Sequence, residues 1–259
     1  MAIESQASKA ILSYDLGHLR GQPVTEFLVS FCEIHPEVNG LRFAAYTPEP
    51  KLSERLKNML TPEEQDLRDA AVKTCQENGI PFYDALFGIA MKCDAIPARF
   101  LESAAAHNAD PPSQIFDLPR DKISTLRILD IIRRLPDGFG LVVSSKVRVG
   151  TDNTAQIPML DFRCPCSSGN AQAIQKVLTL LGQGRGVIVE SGRSYHFYGT
   201  RLMTMPEWTN FMARALLFAP LVDPRYVAHR IADGECRLKL AANNNADIPR
   251  ITDIYVNGD

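Results

Sequence analysis

The chain has 259 residues, of which 45% are hydrophobic and 22% are charged, so one large or two small globular domains with a buried core are expected. A formal net charge of −2 argues against a protein coated with positive charge for nucleic acid. No apolar run approaches the roughly 18 residues that a membrane helix needs, and the N-terminal residues do not resemble a signal peptide. We therefore expect a cytoplasmic protein that has no membrane partner.

The charge is unevenly distributed along the chain. Residues 1–119 contain 10 Lys and Arg against 17 Asp and Glu, whereas residues 120–259 contain 18 against 13. This asymmetry, together with the pattern described below, predicts a mostly helical, acidic N-terminal region over residues 1–119 and an α+β domain over residues 120–259. The basic half is compatible with a phosphate-rich partner, and a solvated basic face would give the same count.

Helix signals dominate the N-terminal region. A helix is predicted over Val24 to Ile34 and a strand over Leu41 to Tyr46. Thr61 and Glu64 are spaced as a capping box, and Asn78 with Gly79 supplies the helix stop. Shorter helices are predicted further along, before a proline-rich connector at Asp110 to Pro112. This half shows no catalytic constellation.

The second half alternates between strand and helix patterns. The predicted order begins with a helix over Ile123–Leu135, strands over Phe139–Val149 and Ile157–Cys164, a helix after Ser167, and a hairpin over Gly186–Tyr198. A helix that begins at Thr204 and Glu207 follows. The last predicted elements are strands over Arg225–Ile231 and Glu235–Leu240 joined at Asp233–Gly234, a polar turn over Asn243–Asp247, and a strand over Arg250–Val256. This order predicts an α+β fold, with a mixed or antiparallel sheet and helices packed to one side.

The predicted hairpin carries the most chemistry. Its bend presents the hydroxyl of Ser191, the flexible Gly192 and the guanidinium of Arg193, and the imidazole of His196 follows on the return strand. Arg offers forked donors and Gly allows a close backbone approach, so the set suits a phosphate-bearing ligand. A surface hairpin with an ordinary structural histidine is the alternative.

The order of polar signals resembles the catalytic core of the archaeo-eukaryotic primase superfamily, which includes DNA primases and primase-polymerases. That family has a strand ending in two acids one residue apart, a hairpin close to Ser-Gly-x-x-x-His, and a later acid that a basic Arg-Leu stretch commonly follows. Here Ser191 to His196 resembles the second motif, Asp161 the first acid, Asp223 the third-motif acid, and Arg237 with Leu238 the basic stretch. The resemblance covers about residues 139–259.

The resemblance implies roles for these residues. Asp161 and Asp223 are expected to be catalytic ligands of Mg²⁺ or Mn²⁺. The nucleotide is expected to contact a second group, namely Ser191, Gly192, Arg193, His196, Arg163 and Arg237. Plainer alternatives stay open, in which Asp161 pairs with Arg163, Asp223 forms a turn before Pro224, and His196 is a satisfied strand histidine.

One position departs from the family pattern. Arg163 stands where the first motif needs its second carboxylate. Replacing an acid by a guanidinium removes a metal ligand and adds positive charge beside the site, so metal binding is expected to suffer. Asp233 and Glu235 could in principle supply the missing acid, but Asp233 is better explained by its predicted turn.

Three functions remain compatible with the sequence. The first is a degenerate primase-like protein that binds nucleoside triphosphates, DNA or RNA, with nucleotidyl transfer weak or lost. The second is an active DNA primase or polymerase, a metal-dependent nucleotidyltransferase of replication or repair. The third is an unrelated α+β binding or structural protein. Arg163 favours the first over the second.

Overall fold

The computed structural model describes residues 14–47, 60–93, 96–105, 114–243 and 247–257. The connector predicted at Asp110 to Pro112 lies outside these ranges, as do residues 244–246 of the predicted polar turn. Among the helices of the described ranges, none is long and apolar enough to cross a membrane.

Helices and strands occupy most of the described ranges. The α-helices are α1 (Val24–Ile34), α2 (Pro62–Asn78), α3 (Phe82–Ala90), α4 (Ala98–Ala105), α5 (Thr125–Arg133), α6 (Ser168–Leu180), α7 (Met205–Ala215) and α8 (Pro224–Asp233). The strands are β1 (Val38–Tyr46), β2 (Gln114–Pro119), β3 (Gly140–Val149), β4 (Asn153–Gln156), β5 (Met159–Asp161), β6 (Arg185–Ser191), β7 (Ser194–Gly199), β8 (Arg237–Ala241) and β9 (Arg250–Val256).

The described chain divides into two compact units. Unit 1 contains the described residues up to Thr47 and from Gln114 onward, and unit 2 contains those between them. Unit 1 therefore contains strands from both sides of the predicted boundary between residues 119 and 120, namely β1 before it and β3 after it. The division into domains over 1–119 and 120–259 itself stays a prediction.

Unit 2 is helical. Thr61 and Glu64 form the predicted capping box at the start of α2, with each side chain accepting a hydrogen bond from the other residue's backbone N–H. Gly79 ends this helix in the left-handed conformation, at φ +66°. The buried residues of this unit form a small core of their own, made by Leu60, Ala71, Tyr83, Ala85, Leu86 and Phe100.

The first sheet of unit 1 is antiparallel and has five strands. Its order is β2-β1-β3-β4, and β8 also pairs with β3. Leu41 and Phe43 of β1, and Val143 and Val147 of β3, are buried in the main core. Because strand side chains alternate between faces, the intervening residues point away from that core.

The second sheet is antiparallel and has the order β5-β7-β6-β9. β6 and β7 form the predicted hairpin, which Ser191 and Ser194 close as its last pair. Gly192 has φ +73° and Arg193 has a negative φ, as a type II′ turn requires. The hairpin prediction is confirmed, and the turn depends on the glycine at its first central position.

The helices of unit 1 begin at the capping signals that the sequence shows. Ser167 caps α6, and Thr204 with Glu207 forms a capping box at α7. The apolar stripe of α7, which includes Trp208 and Phe211, is buried in the core as predicted. These helices and the two sheets confirm the α+β class.

One predicted strand is wrong. Residues 225–231 belong to helix α8, with Asp223 as its N-cap, Pro224 in its first turn and Gly234 as its C-cap at φ +70°. The Asp233–Gly234 pair therefore ends a helix and does not form a hairpin turn. Strand β2, which pairs with β1, was not predicted from the sequence.

Candidate functional site

Two carboxylates meet where β5 ends. Beyond β5, Phe162 forms an isolated antiparallel bridge with Val222, and the N–H of Arg163 donates to the carbonyl of Leu221 at 2.8 Å. In an antiparallel register this places Asp161 opposite Asp223. The two acids predicted from the sequence are therefore brought together.

Asp223 has structural partners of its own. Its Oδ1 accepts hydrogen bonds from the backbone N–H groups of Arg225 at 2.9 Å and Tyr226 at 3.1 Å, which caps α8. Its Oδ2 lies 3.6 Å from Nε of Arg163. Arg163 therefore pairs with Asp223, and the predicted alternative of an Arg163 pair with Asp161 is not the ion pair that forms.

The ionisation of Asp161 is strongly altered by its surroundings. Burial and the nearby charge of Asp223 raise the pKa of Asp161 from 3.8 to about 7, while Lys239 and Arg163 act in the opposite direction. The Asp161 side chain remains 32% accessible. Asp161 thus lies in a recess that solvent reaches, and at neutral pH a substantial fraction of it carries a proton.

His196 is the cross-strand partner of Asp161. Its Nε2 lies 3.6 Å from Oδ1 of Asp161, and the residue is only 5% exposed. Burial, and next the charge of Lys239, lower the pKa of His196 to about 3, so the ring is neutral at physiological pH. The prediction that His196 contacts phosphate stays a prediction; its ring faces the Asp161 carboxylate.

Two buried polar atoms on this face of β7 lack hydrogen-bond partners among the described residues. They are Nδ1 of His196 and the hydroxyl of Tyr198, two residues further along the strand. Burial, with a smaller contribution from the charge of Asp161, raises the pKa of Tyr198. Buried polar groups are normally satisfied, and these two lie on the strand that pairs with Asp161.

The hairpin bend borders a separate cavity of about 540 Å³. Ser191 and Gly192 line this cavity, whereas Arg193 is exposed at the tip of the turn and is not part of the lining. The cavity lining consists of Glu190, Ser191, Gly192, Lys239, Leu240, Ala241, Ala242, Asp247, Ile248, Pro249 and Arg250. The volume is typical of a small-molecule site.

Lys239 connects this cavity to the acids. It lines the cavity, and its charge lowers the pKa of both Asp161 and His196. The alternation of Arg237 and Lys239 with Leu238 and Leu240 shows that both cations share one face of β8, but it does not show what lies opposite. From the sequence, this face could receive phosphates or water, and Lys239 was not singled out as a site residue.

Arg237 is bound by an acid outside the carboxylate pair. Its Nε donates to Oε1 of Glu235 at 2.8 Å, and the other oxygen of Glu235 accepts from the hydroxyl of buried Ser144 at 2.8 Å. Asp233 forms an ion pair with Arg230 at 3.2 Å. Both candidates for a replacement acid are therefore engaged elsewhere, and the nucleotide contact predicted for Arg237 stays a prediction.

Comparison with known protein families identifies the family to which this chain belongs. The family model of the archaeo-eukaryotic primase 1D-like proteins matches residues 119–251. The chain belongs to this family. The match includes β3 to β8 and therefore every predicted site residue of this primase-like protein. No significant match to a curated protein or to a solved structure was found.

The residues of this primase-like site do not fit a pair of divalent ions. The described ranges contain no group of three or more His, Cys, Asp or Glu side chains placed to hold a metal. Of the two converging carboxylates, Asp223 already accepts two backbone hydrogen bonds and pairs with Arg163. Two-ion sites need several carboxylate oxygens free for the metals, and these residues do not supply them.

Proposed function

We propose that this primase-like protein binds nucleoside triphosphates and that its nucleotidyl transfer is weak or lost. The observation that carries the proposal is Lys239, which lies on the wall of the 540 Å³ cavity and also acts on Asp161 and His196. In this proposal a single elongated ligand extends from the cavity past Lys239 toward Asp161. A nucleotide is elongated in this way, with a base and sugar at one end and phosphates at the other.

The cavity has the composition that a base and sugar require. Leu240, Ala241 and Ile248 supply apolar wall, and Glu190 and Asp247 supply acceptors. Small-molecule sites are concave and mostly apolar, with a few polar groups that orient the ligand. The bend at Gly192 has no side chain, which allows a close approach to the backbone there.

Three cationic side chains that solvent reaches can bind the phosphates in this proposal. Lys239 is exposed on β8, Arg163 is 34% accessible beside Asp223, and Arg193 is exposed at the hairpin tip. Hydrogen bonds from such groups to phosphate are charge-assisted and stronger than neutral ones. In this arrangement neutral His196 lies beside Asp161, with its Nε2 3.6 Å from Oδ1 of Asp161.

Arg163 is the reason to expect weak or absent transfer. It supplies a positive charge, with Asp223 as its partner at 3.6 Å, in the position where the family places a metal-binding acid. A guanidinium beside the carboxylates opposes the binding of further cations and favours phosphate. Binding can therefore persist where the joining chemistry does not.

The alternative is an active primase or polymerase that uses Mg²⁺ or Mn²⁺ in replication or repair. It is favoured by one observation, the placement of Asp161 opposite Asp223, whose charge helps to raise the Asp161 pKa. Such carboxylate pairs attract cations. Template-dependent synthesis by the natural chain would support this alternative over the proposal.

Nucleotide binding can be measured by titration calorimetry with the four ribonucleotide and the four deoxyribonucleotide triphosphates. We expect binding of at least one of them by the natural chain. Replacing Lys239→Ala should weaken it at least tenfold, about 1.4 kcal/mol, because a charge-assisted contact is lost.

The matched control is Lys176→Ala, which removes an exposed lysine from α6 and should leave binding unchanged. An absence of binding to the natural chain for all eight nucleotides would contradict the proposal. Equal losses in the two lysine variants would contradict the placement of the site at Lys239.

A further inference from the structure

The charges around Asp161 are balanced by side chains of the chain itself. Asp223 raises the pKa of Asp161, whereas Lys239 and Arg163 lower it, so all three charges act on this carboxyl. When the four side chains are ionised, the two acids and the two bases cancel. The recess at Asp161 therefore holds no excess of negative charge that would attract a divalent cation.

The charge of Asp223 is offset at both of its oxygens. Oδ1 accepts the backbone N–H groups of Arg225 and Tyr226 at the start of α8, where the aligned peptide dipoles place about half a positive charge. Oδ2 lies 3.6 Å from Nε of Arg163. Each oxygen of Asp223 thus already faces a positive group of the chain.

Arg163 is fixed beside Asp223 and keeps donors for a ligand. Its backbone N–H donates to the carbonyl of Leu221 at 2.8 Å, next to the bridge between Phe162 and Val222. The 3.6 Å separation from Asp223 is longer than a hydrogen bond, and within the described ranges the guanidinium donates none. The side chain is 34% accessible, so phosphate oxygens from solvent can reach its forked donors.

The same guanidinium opposes a metal ion at this carboxylate. A Mg²⁺ ion bound to Oδ2 of Asp223 at about 2.1 Å would lie within about 6 Å of Nε of Arg163. The two positive charges would repel each other across that distance. Exchanging Arg163 for Asp would change the formal charge of the side chain from +1 to −1, a difference equal to the charge of one Mg²⁺ ion. Arg163 therefore supplies positive charge that a bound ion would otherwise bring.

We propose that the nucleotide site takes its triphosphate free of divalent metal, with Arg163 and Lys239 on the phosphates where an ion would otherwise lie. The inference rests on the proposed function for the ligand and adds the chemical form in which it binds. Mg²⁺ in solution complexes the phosphates and cancels part of their negative charge, so it competes with the two side chains for the same oxygens. Metal and protein therefore weaken each other's hold on the nucleotide.

Calorimetry in EDTA and in saturating Mg²⁺, at an ionic strength matched with KCl, tests this competition on the full chain. The apparent Kd of the tightest-binding nucleotide should be about tenfold or more higher in Mg²⁺. Binding should persist there, because a fraction of the nucleotide stays uncomplexed. An equal or lower Kd in Mg²⁺ would overturn the inference and leave the proposed function standing. An absence of binding in both buffers would contradict the proposed function itself.

The resonance of free Mn²⁺ in an electron paramagnetic resonance spectrum gives a second readout with a sign of its own. In a mixture of Mn²⁺ and nucleotide, adding the natural chain should increase the free-Mn²⁺ signal, because the protein withdraws nucleotide from the metal complex. A decrease of the signal would show that the metal binds together with the nucleotide and would overturn the inference. Protein added to Mn²⁺ without nucleotide is the control and should leave the signal unchanged.

Substitutions at Arg163 test its role in this competition. Arg163→Asp should reverse the order, with a lower Kd in Mg²⁺ than in EDTA, because it adds a carboxylate and removes the opposing charge. Arg163→Gln removes the charge alone, and it should weaken binding in EDTA and reduce the difference between the two buffers. This variant covers an Asp variant that fails to fold, which circular dichroism would reveal.

The matched control is Arg133→Asp, which reverses an exposed charge on α5 and should keep the natural ratio of the two Kd values within twofold. If Arg163→Gln keeps the natural ratio as well, Arg163 does not take the place of the ion and the inference fails. If both arginine variants change the ratio equally, the effect belongs to the overall charge of the protein, and the inference fails in the same way.

Discussion

Asp161 is a candidate site residue whose surroundings disfavour its ionised form. It lies in a recess, opposite a second carboxylate, with a neutral histidine behind it. Burial, then Asp223, raise its pKa to about 7. From about pH 4 to pH 7 the folded protein therefore holds a proton that the unfolded chain has released. The contribution of this group to stability falls as the pH rises through that window.

Replacing Asp161→Asn should remove this dependence, because the amide does not ionise. We expect the thermal midpoint of the variant, relative to that of the natural chain, to be higher at about pH 8 than at about pH 5. Thermal denaturation at both pH values measures it. Taking the difference in midpoint between the two proteins cancels the contributions of groups that titrate alike in both.

Asp117 is the control with the opposite sign. Hydrogen bonds from Arg42 lower the pKa of Asp117, so its ionised form stabilises the folded protein above about pH 4. Asp117→Asn should therefore lower the thermal midpoint at about pH 8. If the difference in thermal midpoint between Asp161→Asn and the natural chain does not grow with pH, the raised pKa of Asp161 is contradicted.

Single residues differ in how far the sequence predicts them. The order of Asp161, the Ser191 to His196 hairpin and Asp223 was sufficient to predict the family, and the structure brings the two acids together. The role of Lys239 was not predictable, because alternation along β8 identifies a face but not the residues opposite it. The partner of Arg163 likewise depends on the bridge at Val222, which joins segments about 60 residues apart.

Helix α8 shows the limit of local signals at the scale of an element. An Asp-Gly pair is typical of a hairpin turn, but a glycine at positive φ also ends helices, and Gly234 does so. The competing signals were present, since Asp223 with Pro224 is a helix start and Val227 and Ile231 are spaced by four. The helix matters for the site because its N-cap is Asp223.

Substituting Gly234→Ala should destabilise the protein by about 1 kcal/mol, because a Cβ is unfavourable in the left-handed region. The nearest atom to the added Cβ would be Cε of Met205 at 3.7 Å, an ordinary contact, so the cost is a backbone one. Urea denaturation measures the change. Gly184→Ala, where φ is not positive and no atom lies within 4 Å of the added Cβ, should cost distinctly less. Equal costs would contradict the helix end at Gly234.

At the scale of the whole molecule, the first sheet joins strands from distant parts of the chain. β1 pairs with both β2 and β3 across a segment that contains unit 2, and β8 joins the same sheet from near the C-terminus. Hydrophobic alternation predicted β1, β3 and β8 as strands but not their pairing. The α+β class was therefore predictable, whereas the cavity, which depends on the order of the strands in the sheets, was not.

The central claim is that this protein holds a nucleoside triphosphate without joining it to a chain. The most direct measurement incubates the protein with labelled nucleotide, a primed template and Mg²⁺ or Mn²⁺, then separates free, protein-bound and incorporated label. We predict label that is retained by the natural chain, reduced in Lys239→Ala, and not incorporated. Robust incorporation, or no retention of any nucleotide, would contradict the claim.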